Sequence, residues 1–134
     1  FKELNQTAEA LDLDLFSQRW RKSNREVLRE EWVNKYVKIS VALMNIIKTD
    51  EKSLMFAYES VTPSLFASNS VSITLSRAGT WATANPKQFE SLNNEILTGK
   101  WRSRKGKKGT VYGVINEIDE RGTIVLAGDT TFFY

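Results

Sequence analysis

Two residue types are missing altogether: the 134-residue chain has no cysteine and no histidine. Without cysteine there is no disulfide framework and no thiolate metal site. That absence leaves the compartment open, since exported and cytosolic proteins both manage without disulfides. Lacking histidine, the chain also lacks the commonest general base and the commonest transition-metal ligand. No apolar run approaches the roughly 20 residues of a membrane-spanning helix, and nothing at the N-terminus reads as a signal peptide. Nor is there a Gly-rich phosphate loop, a dinucleotide-binding turn, a G-x-S-x-G elbow or a calcium-loop spacing. Carboxylate pairs do occur at Asp12/Asp14, Glu30/Glu31 and Asp119/Glu120. The first two read as helix surfaces and the third as a turn, so the chemistry points to binding without catalysis, metal or cofactor.

What is present is an ordinary globular composition, 41% hydrophobic and 26% charged, of a length that suits one domain with a real core. The chain begins at Phe1 and not at Met, which reads as a processed or truncated N-terminus. Whatever was removed could have carried a targeting signal or an anchor, so the location stays open.

Charge is the most uneven property. Residues 100–108 hold six Lys/Arg and no acid, leaving 13 Lys/Arg against 16 Asp/Glu elsewhere, a net charge of −3. The overall +3 is therefore the property of one short segment, and diffuse attraction to nucleic acid or acidic membranes is not implied.

Hydrophobic spacing divides the chain into a helical lead, residues 1–32, and a β-rich body, residues 33–134. Leu4, Ala8, Leu11 and Leu15 recur at helical spacing after a Thr7 cap, with Leu13, Phe16 and Trp20 widening the apolar face. Ser23 and Glu26 have the spacing of a capping box before a second helix that places Leu28 and Trp32 on one side. From Val33 the period becomes two: Val37, Ile39, Val41 and Leu43 share one face of a long strand. A polar turn, KTDEKS, leads to a returning strand LMFAYES. The segment containing Pro63 reads as a loop, and SVSITLS as a third strand. RAGTWATAN reads as another loop. Asn85 and Pro86 then open a helix with Phe89, Leu92 and Ile96 on its buried side. TVYGVINEI and TIVLAG form the last two strands around a DERG turn, with a bulge or bend expected at Gly113.

The order β-β-β-α-β-β is that of a five-stranded OB-fold-like barrel, here with an N-terminal helical extension. Five strands with one apolar face each can curl closed, and the helix stops an open end. An open α+β sheet with helices on one face is the alternative.

SNREVLREEWVNKYVKISVALMNI and GKKGTVYGVINEIDERGTIVLAG resemble the tRNA-anticodon-domain-like OB-fold family, over about residues 7–47 and 107–128. That family includes lipoproteins of Gram-negative bacteria assigned a nucleic-acid-binding role. Asn24, Lys35, Tyr36 and Lys38 are the matching polar positions, while Val41 and Ala42 stand where the family usually has a glycine. The resemblance implies single-stranded nucleic acid or another polyanion as ligand. The family's lipoproteins also imply an envelope location, through a lipidated anchor ahead of Phe1, with the cytoplasm as the other location. An envelope origin would instead suit an adaptor that binds a protein partner, lipid headgroups or a small molecule.

The candidate contact residues are Trp101, Arg102, Arg104, Lys105, Lys107 and Lys108, a ring among cations, the pairing that single-stranded nucleic acid needs. Trp81 and Tyr58 are further stacking candidates. Phe56, Tyr58, Trp81, Tyr112, Phe132 and Phe133 together offer a stacking face, provided the aromatic side of LMFAYES points outward. The opposing reading is a solvated loop with Trp101 tucked into the barrel end. OB-folds usually bind across their second and third strands, between two loops that correspond here to KTDEKS and DERG, so the basic segment lies outside that customary cleft.

Overall fold

A computed structural model describes residues 8–22, 24–61 and 69–127. Leu4, Thr7, Ser23, Pro63, Phe132 and Phe133 lie outside the described residues.

Alternation decides the body of the molecule. In β2 (Tyr36–Asp50), Val37, Ile39, Val41 and Leu43 are all fully buried, as the period of two requires. Strands β3 (Ser53–Ser60), β4 (Val71–Ser76), β5 (Lys108–Ile118) and β6 (Ile124–Leu126) turn Leu54, Phe56, Tyr58, Val71, Ile73, Leu75, Val111, Ile115, Ile124 and Leu126 into the same core. The strands pair in the order β2-β3-β4-β6-β5, and β5 returns to β2, closing a five-stranded barrel. β4 and β6 are parallel and the remaining barrel pairs antiparallel. This is the OB-fold-like arrangement expected from the element order.

Closure needs β2 to bend, because it serves two partners. Its first half, from Tyr36 to Ala42, pairs with β5, and its second, from Val41 onward, with β3. A register shift between Leu43 and Asn45 marks the bend. β5 bends too, but its shift falls between Ile115 and Glu117 and not at Gly113, which sits in regular pairing with Val37.

Helices stop both mouths. α4 (Pro86–Thr98) follows its Asn85 cap and buries Phe89 and Leu92 at the mouth where β5 begins. RAGTWATAN is not all loop: Thr80–Ala84 forms a one-turn helix, α3, that buries Ala82. At the other mouth lie α1 (Leu13–Lys22) and α2 (Arg25–Trp32). α1 starts later than the apolar spacing suggested. Glu9–Ala10 form instead a short strand, β1, parallel to β2 through Val37 and Lys38. The buried side of α1 is then Leu13, Phe16, Ser17 and Trp20, which leaves Leu15 exposed. α2 is capped by Asn24, whose side chain accepts from the Glu26 N–H at 3.0 Å. Among the described residues no helix is long and apolar enough to cross a membrane.

α2 is fastened to the β5–β6 turn by one side chain. Arg29 Nε donates to the Ile118 carbonyl at 2.8 Å and Nη2 to the Asp119 carbonyl at 3.1 Å. The turn itself is held by Asp119, whose carboxylate accepts from the N–H groups of Arg121 and Thr123, each at 2.9 Å.

Candidate polyanion interface

The basic run is a folded element. α4 ends on Gly99 in the left-handed conformation (φ 75°), and Lys100–Arg104 continue as a 3-10 turn. Beyond it, the Gly106 N–H donates to the Leu43 carbonyl at 2.7 Å, and the Leu43 N–H to the Lys107 carbonyl at 2.9 Å. That reciprocal pair fastens the segment to β2 at its bend. Gly106 can make the turn because its φ is 87° and nothing lies within 4 Å of where a Cβ would point.

Side chains then divide by role. Lys100, Arg102, Lys105, Lys107 and Lys108 are exposed. Arg104 is partly buried, and its Nε donates to Glu95 of α4 at 3.0 Å. Trp101 is half-buried and packs against the core, with the Arg102 guanidinium 6.0 Å from its ring centroid. The indole thus anchors the segment at the barrel end and leaves only part of its surface beside Arg102. Cations following a helix C-terminus also sit favourably against the helix dipole.

The other two stacking candidates are not joined to this patch. Trp81 stands on α3, ahead of α4, while the segment follows it, and the 13 residues of α4 span about 20 Å. Tyr58 points inward and is wholly buried with Phe56, so its ring offers no face to a base. The aromatic side of β3 is the core side because Leu54, Phe56 and Tyr58 give more apolar area than Met55, Ala57 and Glu59.

Among the described residues, the strand faces of the customary OB cleft are correspondingly bare. The outer faces of β3 and β4 present Met55, Ala57, Ser72 and Thr74, with neither a ring nor a positive charge. Its flanking β5–β6 turn is tied down by Arg29, and Gly122 in that turn is buried against Trp20. Basic segment and turn stand at opposite ends of β5.

Next to the basic segment the surface continues into a groove of about 520 Å3. Its floor is the outside of β2 and β5, where Ser40 faces Thr110 and Lys38 faces Tyr112. Its far wall is the start of α1 with Asp12 and Asp14. Asp12 caps that helix, accepting from the Leu15 N–H at 3.1 Å. Tyr112, 37% exposed, is the large ring most open to solvent among the described residues. Its signal in the sequence is the alternation Lys108-x-Thr110-x-Tyr112 against inward Val111, Gly113 and Ile115. Among the described residues, no three carboxylates converge where a cation could sit.

No family model, curated protein or solved structure matches this chain.

Proposed function

We propose that this protein binds single-stranded nucleic acid, or another polyanion, without catalysing a reaction, and that residues 100–108 are the primary contact. One observation carries the reading: five exposed cations within nine residues stand on a backbone locked to β2 through Leu43. A rigid cationic ridge loses little conformational entropy on binding, whereas a loose loop would lose much more. The OB-like barrel supports the same class of ligand, since such barrels recognise oligonucleotides and oligosaccharides. Resemblance to the tRNA-anticodon-domain-like family points the same way.

The test is a fluorescence-anisotropy titration of a labelled single-stranded oligonucleotide at low and moderate salt. If all five exposed cations meet phosphates, log affinity falls with log salt at a slope near −3.5, about a 100-fold loss between 50 and 200 mM. Lys105→Gln/Lys107→Gln should weaken binding and flatten that slope. Absence of binding at low salt overturns the proposal. A parallel titration with phosphatidylglycerol vesicles separates a lipid-headgroup ligand from a nucleic acid.

A further inference from the structure

We infer that the groove outside β2 and β5 receives one unstacked base of the bound strand, laid against Tyr112, so that the protein selects single strands over duplex. This inference rests on the proposed function and deepens it by naming the strand's path.

Three observations lead there. First, Lys108, Thr110 and Tyr112 project from the same outer face of β5. Alternate residues of a strand stand about 7 Å apart, so this row runs about 14 Å from the basic segment into the groove. A chain held by phosphates at 100–108 is thereby led along β5. Second, the groove is concave and mixed in character. It offers a ring face at Tyr112, hydroxyls at Ser40 and Thr110, and a cation at Lys38. A nucleobase presents what this lining accepts, an apolar face and a polar edge. Third, Asp12 and Asp14 stand on the opposite wall. Their charge repels phosphate, so the base and not the backbone fills the recess, its polar edge toward Lys38, while phosphates stay over Lys108. Paired bases in a duplex cannot enter, because a base must leave its stack to reach Tyr112.

The test compares wild type, Tyr112→Leu and Tyr112→Phe on a single-stranded oligonucleotide and on a duplex of the same sequence. Tyr112 projects outward from a barrel strand, so the variants should fold; circular dichroism and the urea midpoint check that they do. Tyr112→Leu should lose roughly tenfold in single-strand affinity, the value of one stacked base. Its salt slope should stay that of wild type, because no cation is removed. Tyr112→Phe should keep wild-type affinity, and duplex binding should be weaker than single-strand binding and indifferent to both changes. Equal single-strand affinity for wild type and Tyr112→Leu overturns the inference. So does wild-type binding to duplex as tight as to single strand. In either case the role of the basic segment still stands, provided Lys105→Gln/Lys107→Gln weakens binding. A wild type that binds neither nucleic acid overturns both readings.

Discussion

Gly122 is moulded to the indole of Trp20: a Cβ on Gly122 would lie 2.7 Å from both Cε2 and Nε1 of that ring. The indole cannot step aside, because Phe16 stacks on it at 6.1 Å and the guanidinium groups of Arg25 and Arg29 lie 4.7 and 5.3 Å from its centroid. Asn69 closes the same spot, donating from Nδ2 to the Gly122 carbonyl at 2.9 Å. Here the helical lead, β4 and the β5–β6 turn meet.

Gly122→Ala should therefore be severely destabilising. The left-handed φ of 82° costs an alanine about 1–2 kcal/mol, and overpacking adds about 1–3 kcal/mol more. Gly122→Asn separates the two causes, since asparagine tolerates the dihedral and still carries the clashing Cβ. It should remain strongly destabilised. Gly106 is the control: with φ 87° and open space around it, Gly106→Asn should change the urea midpoint little.

Arg29→Met should loosen the closed mouth while keeping a side chain of similar reach. The variant leaves the Ile118 and Asp119 carbonyls without their guanidinium donor, a loss of about 1.5–3 kcal/mol for bonds to a charged group. Arg29→Lys should rescue poorly, because one ammonium cannot reproduce the planar fork. Hydrogen exchange should quicken at the amides of Arg121, Gly122 and Thr123. Unchanged exchange there would show that α2 does not hold the turn.

Much of the barrel is legible because burial on one face writes a period of two into β2, β4 and β5. The misread parts are those whose conformation is imposed from a distance. Glu9–Ala10 form a strand only because β2 has a free edge beside Val37 and Lys38. The buried Leu11 at the end of that strand mimics the first turn of a helix and brought the exposed Leu15 onto the wrong face. α3, five residues long, is too short for any period to announce it. At the candidate site, charge and the Trp101 ring mark residues 100–108, but the Leu43 bonds that order them join positions more than 60 residues apart. LMFAYES carried apolar residues on both faces, and only packing decided that Tyr58 goes inside.

Glu31 gives a small acid-range dependence. Arg19 Nη2 donates to Glu31 Oε2 at 2.7 Å, joining α1 to α2, and this bond holds the Glu31 carboxyl below its ordinary value. A carboxyl with a depressed folded pKa stabilises above its unfolded value, about 4.3, and that contribution is lost as pH falls through the folded value. Both side chains are more than a third exposed, so solvent screening limits the effect to a few tenths of a kcal/mol. Glu31→Gln should lower the urea midpoint slightly at pH 7, and the gap should close as pH falls through the folded value. A gap that does not narrow on acidification would show packing, not charge, at work.

Glu95 is the carboxylate paired to the basic segment, and its removal tests whether field or geometry would govern the proposed binding. It is largely shielded, and it accepts from Arg104 at 3.0 Å. If the segment acts through its summed positive field, Glu95→Gln should tighten oligonucleotide binding by about 2–5-fold at low salt, as expected for deleting one partly screened charge. The salt slope should steepen by up to about 0.7, the increment for one further phosphate contact on a single strand. Stability should fall by no more than about 1 kcal/mol, the range of a partly exposed pair. If instead Glu95 serves to aim Arg104, the glutamine variant should bind more weakly with an unchanged slope. The sign of the affinity change therefore distinguishes a ridge that works by charge density from one that works by the placement of a single guanidinium. With no histidine in the chain to titrate, that sign should be the same at pH 6 and pH 8.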